Sequence, residues 1–452
     1  MGRFHAGAPR RLIPCPRYVT CGAPVAATSV RSLVKSVPWF VSCAIAGSVL
    51  LGAAPAVAQA PLLTSPVAPV AATIAQAFDA AWQRAVQARE SEAQTRRARA
   101  EQTAASSLWA APPAVELNHL NDLLHSNAGR RETEVGLVWP LWLPGQRDAR
   151  AAAAEAESKL ADAGTLAARL RVAGQVREAA WKLSAAQAEA VSVAAQARYL
   201  QGIADDVQRR VQAGDLARAD ALAARAELLE ARSALSEADQ RLQAARAHWR
   251  ALTGLDAAPQ MQVPAAAGLS EAALRTDEHP ELRLAAQAVE RARRRLDSVN
   301  LSRRDPPELS VKYREESPGF GQAAQRGIGI GLRIPFGTDS RNAPLQAAAI
   351  GDLDVAEATE QRLRERQDAD LVLARSALQS AAQQLDGIRD RAGLLRERAQ
   401  LIDASFKAGE TSLPDLLRAA NAAAQADAAL ARQQAALGLA HAQLQQALGL
   451  LP

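Results

Sequence analysis

Two hydrophobic periodicities alternate along this chain. In the shorter stretches every second residue is apolar. Leu309, Val311 and Tyr313 oppose Glu308, Ser310, Lys312 and Arg314, and Ile328, Ile330, Leu332, Ile334 and Phe336 oppose Gly327, Gly329, Gly331 and Arg333. Earlier in the chain, Thr133, Val135, Leu137 and Trp139 oppose Glu132, Glu134, Gly136 and Val138. Such alternation predicts extended strands with one apolar face, grouped in two β-hairpins at about 112–143 and 307–337. Period two is shared by half-buried strands of water-soluble sheets and by barrel strands that turn their apolar side to lipid.

The remaining stretches read as helix. No proline occurs between Pro144 and Pro259 or between Pro344 and Pro414, and these spans are built from Ala, Arg, Gln, Leu and Glu, all good helix formers. Helices of about 50 to 65 residues, rising about 1.5 Å per residue, would reach roughly 75 to 100 Å, well beyond a globular core. The pattern predicts two helical hairpins, Gly145 to about Gln212 returning over Leu216 to Leu255, and Ala343 to about Lys407 returning over Pro414 to Leu450. Gly214 and Gly409 stand at the turns as left-handed caps, and Pro414 suits a first helical turn. Further helices, about Thr73 to Ser106 and Glu271 to Asn300, precede the two β-hairpins.

The order helix, β-hairpin, long helical hairpin therefore occurs twice, at a constant offset of 195 residues. Val135-Gly136-Leu137-Val138-Trp139-Pro140 answers to Ile330-Gly331-Leu332-Arg333-Ile334-Pro335, Ala213-Gly214-Asp215 to Ala408-Gly409-Glu410, and Leu252-Thr253-Gly254-Leu255 to Ala447-Leu448-Gly449-Leu450. The period is too long for a solenoid unit of roughly 20 to 50 residues. The expected organisation is a leader and signal peptide over 1–58, a first structural repeat over 59–258 and a second over 259–452.

The leader changes the charge picture. Its six Arg/Lys residues meet no carboxylate, and removing them turns a formal net charge of +5 into 47 basic against 48 acidic residues. A near-neutral mature chain withdraws electrostatic support from a nucleic-acid partner. Arg31 and Lys35, the apolar run Val37 to Leu51 and the small-x-small site Ala56-Val57-Ala58 have the anatomy of a secretory signal, cleaved before Gln59. Val30 is an alternative start. All three cysteines (Cys15, Cys21, Cys43) fall in this leader, so disulfides and thiolate chemistry are not expected of the mature chain. Phe40-Val41-Ser42-Cys43 makes a poor lipobox.

Two observations tip the strands toward the membrane. Two hairpins with no other strands nearby make a marginal sheet in water. Trp109, Trp139 and Trp142 also cluster at one end of the first hairpin, where an interfacial aromatic belt would sit; the competing reading makes them core residues capping a helix bundle.

With both halves read this way, the chain resembles the TolC family of outer membrane efflux channels over essentially all of Gln59 to Pro452. The residues that carry the likeness are the junctions Trp139-Pro140-Leu141-Trp142-Leu143-Pro144-Gly145-Gln146-Arg147 and Ile334-Pro335-Phe336-Gly337. The Gly-then-Asp-x-Leu tips (Gly214 to Leu222, Gly409 to Leu417) and His279-Pro280-Glu281-Leu282 add to it. The resemblance implies a mainly α fold with a small β part. Long helical hairpins would form a periplasmic α-barrel, and four strands per protomer would contribute to a twelve-stranded transmembrane β-barrel closed by a homotrimer. It further implies a passive export duct in the outer membrane of a Gram-negative bacterium, with a large periplasmic part and no cofactor. Its partners would be outer membrane lipid, a periplasmic adaptor (a membrane fusion protein) and an inner-membrane pump. The junction Pro144-Gly145-Gln146-Arg147 leans toward pumps of the resistance-nodulation-division type. The alternative is a soluble periplasmic coiled-coil scaffold or pump adaptor, which leaves the two alternating hairpins unexplained.

Candidate functional residues follow from both readings. Asp415 sits at the second tip, where family members narrow the periplasmic entrance with acidic residues, and three copies would focus field on cations. Asp415 could equally serve the start of its helix. Arg418, one turn later, stands where some members carry a second acid, and could pair with Asp415 at i, i+3. Gly214, Leu216, Asp220 and Leu222 at the first tip, with Gly409, Leu413, Leu416 and Leu417 at the second, are candidates for adaptor contact by helix-in-groove docking, or for packing the hairpins on each other. His119 and His125, six apart without a nearby cysteine, read as surface residues rather than metal ligands. Arg291 to Arg295, with Asp297 close by, reads as a solvated helix face. No phosphate loop, nucleophile elbow or metal-binding His-Glu spacing is present, so no catalytic residue is expected.

Overall fold

The computed structural model describes residues 73–259, 261, 278–337 and 339–452. The leader expected over 1–58 and the expected helix start at Glu271 lie outside the described residues. The elements run α1 (Ile74–Arg84), α2 (Val86–Ala105), β1 (Ala114–Asn121), β2 (Arg131–Pro140), α3 (Gln146–Ala213), α4 (Arg218–Thr253), α5 (Pro280–Leu301), β3 (Glu308–Ser317), β4 (Gln325–Arg333), α6 (Asp339–Lys407) and α7 (Leu413–Ala447). The fold is mainly helical with one small sheet, as the patterning predicts.

The two principal helices hold 68 and 69 residues, which at about 1.5 Å per residue makes each roughly 100 Å long. Each turns back through a glycine at positive φ, Gly214 (88°) and Gly409 (82°), a conformation that a Cβ would penalise. α4 returns along α3 and α7 along α6, while α2, α5 and α7 also pack on α3. His279 opens α5: its Nδ1 accepts from the Glu281 N–H at 3.2 Å, and Pro280 follows in the first turn.

Several boundaries differ from the sequence expectation, α4 and α7 by one to three residues at their ends. The stretch 73–106 is two helices, because Ala85 takes an extended conformation (φ −66°, ψ 136°). The break lets Ala77, Phe78 and Ala81 of α1 enter a core with Val176 and Leu183 of α3 and Trp249 of α4, while α2 follows α3. A capping box between Thr73 and Gln76 starts α1. α3 starts one residue late because Gly145 (φ 80°) caps it from outside. α6 begins at Asp339, four residues before the predicted start, and carries Pro344 within its second turn. There the proline forfeits one helical hydrogen bond.

Apart from the α1–α3–α4 core, a second core closes the end of the hairpins. It joins Leu200, Ile203 and Val207 of α3, Leu228 of α4, Phe406 of α6 and Leu416 of α7. Alanine supplies much of the remaining buried surface along α3 and α7, which lets long helices approach closely.

Candidate functional site

The sheet is antiparallel in the order β1-β2-β3-β4, and its registers bring residues of one kind onto each face. Val115, Leu137, Val311 and Ile330 form one row across the four strands, and Leu117, Val135, Tyr313 and Ile328 form the next. Side chains alternate between faces along a strand, so Trp139, Leu309 and Leu332 share this side. It is left open: Val115, Ile328 and Ile330 are each more than two thirds exposed. Where the strands approach the helices this face ends in aromatic rings, with Trp109 and Trp139 centroids 6.4 Å apart and Phe336 exposed. Trp142 donates from Nε1 to the Ser107 carbonyl at 3.2 Å and stacks under Arg150. At the far end the face turns polar, where Glu315 meets Arg326 at 3.3 Å and His119 meets Thr133 at 3.0 Å. The apolar band between Thr133 and Trp139 covers six residue steps, roughly 20 Å along the strand.

The opposite face is a network of charges. Lys312 lies 3.3 Å from Glu116 and 3.7 Å from Glu134, Arg314 lies 2.8 Å from Glu132 and 2.9 Å from Glu316, and Arg333 lies 3.3 Å from Glu308. Arg130, in the loop before β2, reaches Glu316 at 3.8 Å. Sequence reasoning found the polar phase of the strands but not these pairs. They join residues up to two strands apart, and only the register reveals them. On β4 this face is nearly bare, because Gly327 and Gly329 have open space where a Cβ would stand. β1 and β4 each end the sheet with one side unpaired among the described strands.

An apolar outside, a charged inside and two open edges are what lipid and water on opposite sides require of one piece of a closed barrel. No helix among the described residues is long and apolar enough to cross a membrane.

The tips lie at the other end of the long helices. Asp415 pairs with Arg418 at 3.0 Å, and its other oxygen accepts from the Ser412 hydroxyl at 2.6 Å. Leu413, Leu416 and Leu417 are buried in the core between the hairpins, Leu216 is half-buried against it, and Leu222 is exposed. Gly214 and Gly409 are exposed at the turns, and Asp220 accepts from the Ala217 N–H at 3.3 Å. Just inside the tips, Tyr199 of α3 donates to Asp403 of α6 at 3.1 Å; burial, then the carboxylate, pushes the phenol well above its ordinary range. Arg210 of α3 stacks over Phe406 of α6. Neither pair was singled out in the sequence, where nothing marks two residues about two hundred positions apart as neighbours. No group of three or more His, Cys, Asp or Glu able to hold a metal occurs among the described residues. Arg294 and Arg295 pair with Glu290 and Asp352 on exposed helix surfaces.

Residues 77–255 match the model of the outer membrane efflux protein family. No curated protein matches the chain. Among solved structures, the outer membrane protein VceC from Vibrio cholerae is 16% identical, with 83% of this chain and 96% of that one covered at a TM-score of 0.67. The CmeC outer membrane channel of Campylobacter jejuni is 16% identical, covering 83% and 85% at 0.66. The open state of the MtrE outer membrane channel of Neisseria gonorrhoeae is 18% identical, covering 83% and 89% at 0.65. The fold is therefore that of these channels.

Proposed function

We infer that this chain, which carries an outer membrane efflux protein domain on the fold of outer membrane channels, is the outer membrane channel of a tripartite efflux system. The observation that carries the reading is the two-faced sheet. Its face of Val115, Leu117, Ile328 and Ile330 is left largely uncovered by the described residues, and would be costly in water. Its charged face suits a water-filled lumen. The open edges of β1 and β4 find partners when three copies join β4 of one to β1 of the next, closing a twelve-stranded barrel with no edge left in lipid.

The helices give the duct its length. At roughly 100 Å, α3 and α6 reach deep into the periplasm and bring the tips to the level of an adaptor and an inner-membrane pump. The exposed Leu222 and the turns at Gly214 and Gly409 are the proposed contact points, with Leu216, Asp220, Leu413, Leu416 and Leu417 shaping the tip from within. Asp415 and Arg418 stand at the proposed periplasmic entrance as a pair, so their combined field is weak. Trp109, Trp139 and Trp142 mark the periplasmic rim of the membrane. The duct is passive, and the energy for export comes from the pump, for which the resistance-nodulation-division type is proposed.

The test is the native mass of the mature protein extracted from outer membranes. A trimer that needs detergent for release supports the duct. A monomer or dimer released by salt alone refutes it and leaves a periplasmic coiled-coil scaffold.

A further inference from the structure

The inside of the sheet contains one crossing contact that alternation alone would not build. Lys312 is on β3 and Glu116 on β1, with β2 between them, and the register sets Gly136 of β2 opposite both. Because Gly136 has no side chain, the Lys312 stem passes over it: a Cβ there would stand 3.1 Å from Lys312 Cγ. The ammonium so reaches Glu116 at 3.3 Å while also meeting Glu134 at 3.7 Å. One cation is thereby shared by two carboxylates. Arg314 is shared in the same way by Glu132 and Glu316. Beside them the glycines of β4 leave the lumen open, so these charges border free space rather than packed side chains.

We propose that the charge selectivity of the duct is set here, inside the barrel, with Lys312 as the principal determining residue. The inference rests on the export-duct reading above. Across this face the carboxylates Glu116, Glu132, Glu134, Glu308 and Glu316 outnumber the cations Lys312, Arg314 and Arg333, and still do so when Arg130 is added. The lumen therefore keeps a net negative charge in every copy and favours cations. Lys312 limits that preference at the level where β4 is barest. The tip does not compete, since Asp415 is matched by Arg418 at 3.0 Å. A matched pair projects little field beyond the Debye length of about 10 Å at 0.1 M salt.

The experiment is the reversal potential of the full-length channel in planar bilayers across a potassium chloride gradient. The wild type is expected to prefer potassium. Lys312→Gln leaves three more negative charges unmatched per trimer and should raise the potassium-to-chloride permeability ratio about threefold at 0.1 M salt. Glu116→Gln should lower the ratio, and the double variant Asp415→Asn/Arg418→Gln, which removes the matched tip pair whole, should leave it near the wild-type value. A ratio that follows the tip double variant and ignores both barrel variants overturns the proposal. If Lys312→Gln does not assemble, an unchanged ratio in Glu116→Gln overturns it alone. A wild type that forms no detergent-stable oligomer and passes no current fails earlier, at the duct reading itself.

Discussion

The indole of Trp181 on α3 is pressed against the backbone of α7 at Gly438, where an added Cβ would stand 2.1 Å from the Trp181 ring. Replacing a glycine inside a helix by alanine ordinarily stabilises it by about 0.5–1 kcal/mol. Here the sign should reverse, because neither helix can retreat without disturbing the buried alanines around it. Gly438→Ala is expected to cost about 1–3 kcal/mol through overpacking, read as a lower thermal midpoint of the detergent-solubilised protein. Adding Trp181→Leu should recover part of that loss, since the two sites share one contact. Equal destabilisation in the single and double variants would refute the close approach.

The open face of the sheet makes a prediction that depends on side rather than on strand. Leu137 is turned to the apolar face and Ser310, on the neighbouring strand, to the charged one. A lysine at Leu137 should cost about 2–4 kcal/mol per copy near the bilayer midplane and deplete the protein from outer membrane fractions. Ser310→Lys should be recovered there at close to wild-type amounts. Membrane recovery that is the same for both lysines would contradict the assignment of faces.

What the sequence disclosed follows the kind of information a periodicity holds. Alternation at period two located β2, β3 and β4 and sorted Val135 from Glu134, while β1 entered only as the first arm of the hairpin at about 112–143, and proline-free spans located both long helical hairpins. Local chemistry was equally legible: Gly214 and Gly409 take the positive φ expected of them, and Asp415 pairs with Arg418 three residues on. Contacts that depend on register or on helix docking were not. Lys312 reaches Glu116 only because Gly136 falls between them, and the extended Ala85 follows from how α1 must tilt to bury Phe78. The same limit applies at the tips. Leu222 and Leu416 look alike as leucines after a turn, but their environments differ because α7 is wedged between α3 and α6.

That difference separates two roles at the tip. Leu222 is 63% exposed, whereas Leu416 is 1% exposed and lies in the tip core. Leu222→Asp should leave folding and oligomer mass unchanged while reducing cross-linking to a periplasmic adaptor. Leu416→Asp buries a charge without a partner and should destabilise the hairpin ends by about 3 kcal/mol or more, seen as early proteolysis at the tips. If Leu222→Asp cross-links as well as the wild type, the docking surface lies elsewhere.

The last prediction concerns acid. His279 is buried at the head of α5, with Nδ1 accepting from the Glu281 N–H and Nε2 placed 3.4 Å from the Gln446 carbonyl of α7. That geometry uses the neutral ring, with the proton on Nε2 donated to Gln446. A proton on Nδ1 would abolish the helix cap and repel the Glu281 N–H. Burial holds the His279 imidazole below its ordinary range, against the opposing pull of the Gln446 carbonyl and Glu281. Burial, then Arg177, depresses His441 on α7 in the same direction. A histidine with a depressed folded-state pKa contributes its full stability above the ordinary value near 6.5. As the pH falls through that value the unfolded chain takes up a proton that the folded chain refuses, and stability drops until the folded group titrates as well. The thermal midpoint should therefore fall between pH 7.5 and 5.5. His279→Asn keeps a capping side chain but cannot titrate, and should flatten that fall, with His441→Gln removing a further part. A pH slope unchanged in both variants would assign the acid sensitivity to other groups.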